Sequence, residues 1–364
     1  MTIVLFLIIL AVLIFVHELG HFVSAKLFGI RVDEFAVGFP PKIIGWKKGE
    51  TKYSLNLIPF GGYVKIFGED PNEESINGED SKRSFVNAKK WKQAIVLLSG
   101  IFMNLVFAWL LISTSFNIGL LTSIDDKYKD RAENTVTMIT SIKDGSPAQI
   151  AGLKMGDKIL NIESGKTKIL MPNTTDIQNI IAESLGEIKI DYKRGNGTST
   201  TNILALSGVV DGKKAIGISM DFVGTVKFGF FESFVEGFKL TIIETKNIAV
   251  GLYHFIVGAF SGQNGILAQV SGPVGIVGMV GDAREFGISY LFGFIAMISI
   301  NLAMLNLVPF PALDGGRVLF VIIEAIIRRR IKPAIANWTN TIGFALLILL
   351  MVFITYKDIV KLIR

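Results

Sequence analysis

Apolar residues run through this chain in long unbroken stretches, not at the spacing of half-buried elements. Four stretches, 2–28, 94–121, 288–308 and 335–356, are apolar almost throughout. Each is near the roughly 20 residues that a bilayer requires, so the pattern predicts four transmembrane helices. Residues 131–222 read differently. They are rich in Thr, Ser, Asp, Lys and Gly, with apolar positions that alternate or cluster briefly, as in a soluble domain. The stretch 228–260 mixes both characters, because Glu232, Glu236, Lys239, Glu244 and Lys246 interrupt large apolar residues. An amphipathic helix at the membrane surface is expected there in preference to a fifth span.

Local signals inside 131–222 give mixed short elements. Ser146 can cap a helix with Pro147 at its first position and Gly152 at its end. Gly156-Asp157 turns into a strand over 158–162, and Thr175 to Gln178 reads as a capping box for a second helix stopped by Gly186. Strands over 187–194 and 200–206 flank Gly195-Asn196-Gly197-Thr198, a hairpin signal.

Half the residues are hydrophobic and there is no cysteine, so disulfides and thiolate metal sites are excluded. The net charge of +6 forms no basic stripe interleaved with aromatics, and no nucleic-acid partner is expected. Charge placement orients the spans. Arg31, Lys42, Lys47 and Lys48 follow the first span, and Lys82, Arg83, Lys89, Lys90 and Lys92 precede the second. Arg328, Arg329, Arg330 and Lys332 fill the turn before the fourth. The positive-inside rule makes these connections cytoplasmic, with the soluble domain and both termini outside. Lys127, Lys129 and Arg131 run against that rule, but Asp125, Asp126 and Asp130 accompany them. The N-terminal run lacks a basic flank and a small-residue cleavage site, so a retained helix is expected rather than a leader.

Chemistry enters at "FVHELGHF", residues 15–22. His17 and His21 stand one helical turn apart on one face, the spacing with which two imidazoles grip one zinc ion. Zinc lowers the pKa of a bound water to about 7, and Glu18 can take its proton during attack on a carbonyl. A pair of core histidines would not need this register. Catalytic zinc takes three protein ligands and keeps one position open. His254 lies in the amphipathic stretch, where an interfacial role suits it better. Asp314, in "NLVPFPALDGGRV", is the stronger third candidate: with four spans the third runs inward and brings it to the same side as His17. Asp-Gly-Gly is otherwise ordinary turn sequence.

His17-Glu18-Leu19-Gly20-His21, paired with Asn306 to Gly315 ("NLVPFPALDG"), resembles the site-2 protease family of intramembrane zinc metalloproteases, in particular bacterial regulator-of-sigma-E proteases. The resemblance implies one catalytic zinc held by His17, His21 and Asp314, with Glu18 as base and Asn306 holding substrate. An amide inside a span also serves helix-to-helix hydrogen bonding, so that reading of Asn306 stays open. "LNLIPFGGYVKIFGED", residues 55–70, reads as a hairpin around Pro59, Gly61 and Gly62 that dips into the membrane face beside the site; its free edge can pair with a substrate strand, and Gly61 and Gly62 are candidate substrate-binding residues. "SGPVGIVG", residues 271–278, resembles a family segment before the third span. "SGIFMN", residues 99–104, departs from the family, whose members usually have proline after the glycine; only local packing of the second span is expected to change. Residues 145–162 resemble a PDZ domain in its bacterial circular permutation, in one copy.

The expected protein is thus a polytopic α-helical membrane protein with four spans, a membrane-associated β-hairpin and an inserted extracytoplasmic α+β PDZ-like domain. The resemblance implies an endopeptidase of the bacterial inner membrane acting on single-span substrates such as anti-sigma factors or leftover signal peptides. The alternative is a membrane PDZ protein that captures peptides and carries a structural zinc, which would need a fourth ligand. A zinc transporter would need further acidic or histidine sites along a path.

Overall fold

The computed structural model describes every residue except 125–127, 196, 211–212, 262–269 and 364. Asp125, Asp126 and Lys127 of the charge pattern, and Asn196 of the hairpin signal, lie outside the described residues. Contacts divide the chain into two units. The first, helical unit comprises Met1–Ser113, Phe234–Gly281 and Phe292–Arg364; the second, strand-rich unit comprises Thr114–Ser233 and Asp282–Leu291.

Helix α1, Thr2–Leu27, is 26 residues long, about 39 Å at 1.5 Å per residue, enough for a hydrocarbon core of about 30 Å. Its buried residues Ile9, Leu13, His17, Gly20, His21, Ser24 and Ala25 follow three- and four-residue steps, making one inward stripe. Ile3, Val4 and Ile8 are exposed, while Phe15 meets the Phe35 ring of the strand that follows edge-on at 5.6 Å. Strands β1, Val32–Lys48, and β2, Thr51–Ile66, form an antiparallel pair whose turn lies between Lys48 and Thr51. The hairpin is therefore longer than residues 55–70 and turns at Gly49-Glu50, not at Gly61-Gly62. Its register doubles: Phe35 stands opposite both Val64 and Tyr53, and Ala36 opposite both Tyr63 and Ser54. Gly61 and Gly62 make this possible. Gly61 holds a φ of +126°, and a Cβ on Gly62 would lie 2.7 Å from the Ala36 carbonyl oxygen. A short helix α2, Glu73–Asn77, capped by Asn72, precedes α3, Lys90–Ile118.

The strand-rich unit follows. Strands β3 (Leu120–Ser123), β4 (Ala132–Ile142), β5 (Lys158–Ser164), β6 (Thr167–Leu170), β7 (Glu187–Arg194), β8 (Gly197–Leu204) and β11 (Ile218–Val226) make one sheet, ordered β3-β11-β4-β5-β7-β8 with β6 on β5; β9 (Leu206–Val210) and β10 (Lys213–Ala215) pair separately. Helix α4, Pro147–Ile150, begins at Ser146, whose hydroxyl accepts from the Gln149 N–H, as the sequence indicates. Helix α5 is Thr174–Glu183 and its box is built by Asn173 and Asp176, two residues earlier than Thr175 and Gln178. Asn173 takes the position because its amide oxygen reaches the Asp176 N–H at 2.9 Å while Asp176 accepts from the Asn173 N–H. Arg194 stands opposite Gly197, so β8 begins three residues before the expected 200.

Helix α6, Phe230–Phe260, runs unbroken for 31 residues; Ser233 and Thr241 are buried while Phe231, Val235 and Tyr253 are exposed. Helix α7, Pro273–Glu285, has the Gly275 N–H donating to the Asp358 carboxylate at 2.9 Å. Helix α8 is Ile288–Leu307, α9 is Asp314–Ile327 and α10 is Pro333–Ile363. The span expected over 288–308 is α8, and Asp314 lies beyond it on a separate helix, α9. Pro309 and Pro311 lie in the break, where their missing N–H groups cost no helical bond. Four helices among the described residues are long and apolar enough to cross a membrane: α1, α3, α8 and Pro333–Val360 of α10.

Candidate active site

Three donor atoms converge in the helical unit. His17 Nε2 lies 2.9 Å from Asp314 Oδ2, His21 Nε2 lies 3.3 Å from the same oxygen, and the two Nε2 atoms are 3.2 Å apart. Ligands at 2.0–2.1 Å around a tetrahedral zinc stand about 3.3 Å from one another. The triangle fits one zinc ion, and among the described residues this is the group of His and acidic side chains with that closeness.

Each donor has a local cause for its place. His17 and His21 sit on the inward stripe of α1, 7% exposed each. His21 Nδ1 donates to the Val96 carbonyl at 2.8 Å, which leaves Nε2 its lone pair. Asp314 opens α9, where a carboxylate suits the positive end of the helix. Gly315 and Gly316 are not a turn: a Cβ on either would lie 2.3 Å from a carbonyl oxygen, that of Val308 or Phe310. They let the first turn of α9 press onto the broken segment that delivers Asp314. Ala312 holds a left-handed φ of +73° just before it, and its N–H meets the Asn340 side-chain oxygen at 3.4 Å.

Glu18, His21 and Asp314 line a cavity of about 600 Å³. Its wall continues along Tyr63, Val64, Lys65 and Ile66 of β2 and on to Glu69 and Arg317. Arg317 ion-pairs with Glu69, so α9 is tied to the chain just beyond β2. Burial pushes the Glu69 carboxyl up, and the Arg317 charge pulls the other way. Gly61 and Gly62 are not in the cavity wall; their place is the packing of β2 on β1. Asn306 is half-buried near the end of α8, also outside that wall. His254 is exposed on α6 beside Tyr253, apart from the donor triangle.

Along 99–104 of α3 the sequence led to an expectation of changed local packing only. A Cβ on Gly100 would lie 2.5 Å from His21 Nε2, and one on Gly20 would lie 2.3 Å from the Ser99 carbonyl oxygen. Ser24 and Ser99 bond across the same crossing at 2.8 Å. The segment 99–104 therefore bears on the histidines directly, beyond local packing. Small residues on two apolar helices were the available signal.

This donor triangle, two histidines on a helix of spanning length and an aspartate opening α9, is what the comparisons meet. Residues 5–350 match Peptidase family M50. The chain belongs to that family, the site-2 proteases, and is a multi-pass membrane zinc metalloprotease. It is 38% identical over 362 residues to a protein of Clostridium perfringens named as a zinc metalloprotease, covering 99% of both chains. It is 30% identical over 437 residues to the regulator of sigma-W protease RasP of Bacillus subtilis, again covering 99% of each. A Helicobacter pylori protein, also named as a zinc metalloprotease, is 33% identical over 372 residues, with 97% of this chain and 98% of that one covered.

Proposed function

We propose that the chain is an intramembrane endopeptidase whose zinc is held by His17, His21 and Asp314. The observation that carries this is the donor triangle, with Glu18 facing the same cavity. Three donors suit a catalytic ion with an open position; a structural zinc would call for a fourth. When bound, zinc supplies Lewis acidity to water and to the scissile carbonyl. Glu18 takes the proton of the attacking water and returns it to the leaving amine. A substrate helix hides its carbonyls and must unwind to be cut. The β1–β2 sheet has two strands, and β2 from Tyr63 to Ile66 borders the cavity, so an extended peptide can add there as a further strand. Gly61 and Gly62 let β2 bend into that position, and Asn306, near the end of α8, is the further residue proposed to hold substrate.

By the likeness to RasP, membrane-anchored anti-sigma factors are proposed substrates, with leftover signal peptides as a second class. The strand-rich unit is read as one PDZ-like domain outside the inner membrane, filtering or binding substrate ectodomains. Both termini are placed on that side. Glu18→Gln tests the chemistry: zinc content should stay at wild-type level while cleavage of a transmembrane peptide is lost. Turnover in that variant would reject the assignment. Single cysteines test the orientation, since the chain has none of its own. Lys48→Cys and Arg329→Cys should label from the cytoplasm and Lys166→Cys from outside; labelling of Arg329→Cys and Lys166→Cys from one side sinks the topology.

A further inference from the structure

Asn104 lies in the middle of α3 with no exposed surface. Its backbone oxygen accepts from the Ser299 hydroxyl at 2.8 Å, which ties α3 to α8. Its side chain meets His17 Nδ1 at 3.3 Å through the amide nitrogen, and the amide oxygen has no hydrogen-bond partner among the described residues. A buried amide oxygen without a donor is costly. The two imidazoles thus differ. His21 faces a carbonyl, which only accepts, so its proton is fixed on Nδ1. His17 faces an amide, which can donate or accept.

The orientation of that amide decides what His17 can do. With nitrogen toward the ring, Nδ1 must be the bare atom, and the ring proton sits on Nε2, aimed at Asp314. A ring in that form cannot offer Nε2 to a cation. Half a turn of the amide plane exchanges two groups of nearly equal size and brings the oxygen to Nδ1. The proton then belongs on Nδ1, the amide oxygen is satisfied, and both Nε2 lone pairs point to the centre of the triangle.

We infer that Asn104 is the positioning residue that selects the metal-binding tautomer of His17, its side-chain oxygen accepting the Nδ1 proton. This rests on the proposed zinc site and adds a residue that touches neither metal nor substrate. Such outer partners typically matter 10- to 100-fold, as an order of magnitude, in metal affinity.

Zinc dissociation constants of the full chain in detergent, read by chelator competition, test it. Asn104→Leu, similar in shape but without an acceptor, should weaken zinc binding by roughly 10- to 100-fold. Asn104→Asp keeps the acceptor and should bind zinc close to wild type. In the zinc-loaded wild type, ¹⁵N-histidine NMR should show His17 protonated at Nδ1, with His17→Ala assigning the signal. Wild-type affinity in Asn104→Leu, an Asn104→Asp variant as weak as Asn104→Leu, or a bare Nδ1 on His17 would each overturn the inference. If His17→Ala itself leaves zinc affinity unchanged, the zinc site fails; if it abolishes binding while Asn104→Leu does not, only the role of Asn104 fails.

Discussion

In the strand-rich unit, Ile139, Ile159, Ile162, Ile177, Ile188, Ile190 and Ile216 fill one buried cluster beneath α5. In the helical unit, the crossing that places the histidines is made by Gly20 against Ser99 and by Gly100 against His21, with a Ser24–Ser99 hydrogen bond between them. The first is the way chains fold in water, where taking branched side chains out of solvent is the main driving force. The second is the way helices pair in lipid. Leucine gains nothing there by leaving one hydrocarbon for another, so small residues and polar contacts hold the helices together. The comparison explains why a single methyl group should matter so differently in the two units.

The largest effect is expected at Gly100. Gly100→Val puts carbon where the imidazoles are, so zinc should be lost and cleavage should fall below detection, while amide exchange in β5 and β7 stays slow. Gly186 of the strand-rich unit has nothing within 4 Å of an added Cβ, and Gly186→Ala should stay within about 0.5 kcal/mol of wild type. Next comes Ile162→Ala, at a fully buried position. Hydrogen exchange should show that unit destabilised by about 2–5 kcal/mol, with zinc affinity unchanged. Zinc loss there comparable to Gly100→Val would mean the two units do not follow separate rules.

Ser24→Ala is milder, about 0.6 kcal/mol by the averages for hydrogen bonds within membranes, read as a small shift in thermal unfolding of the helical unit. A loss several times larger would give polar contacts more weight at this crossing than small-residue packing. The smallest effect is in acid. Hydrogen bonds from Thr200 and Asn161 hold the Asp191 carboxyl below its ordinary range. Its contribution to folding is therefore present above the unfolded value of about 3.9 and lost as pH falls through the lower folded one. Asp191→Asn should flatten the acid limb of the strand-rich unit slightly and leave neutral-pH stability near wild type.

Much of this was legible in the chain. His17 and His21 declare themselves by a one-turn spacing that depends only on helix geometry, and the apolar runs need only a bilayer's thickness. Asp314 was a candidate because four spans, as counted from the sequence, would bring it to the side of His17, and the structure has it 2.9 Å from His17 Nε2. Gly100 and Asn104 were not. Helix α3 is apolar all round, so no periodicity shows which face meets α1, and that face is set by the crossing itself. The hairpin was misplaced for a related reason. Gly61-Gly62 looks like a turn, but the two glycines relieve close approaches to the Phe39 ring and the Ala36 carbonyl that exist only once β2 has folded against β1. Asn173 outcompeted Thr175 by a choice between neighbouring caps that single-residue preference leaves nearly even.

The separation of His17 from Asp314, 297 residues along the chain, has a meaning for biosynthesis. On the ligand set proposed here, a ribosome adding 5–20 residues per second would need roughly 15–60 s between making the first ligand and the last. During that interval the half-made protein sits among other nascent helices in the same membrane. It carries the base and two imidazoles but lacks the carboxylate that completes the site. On that ligand set, the nascent chain cannot close its zinc site until α9 is in place.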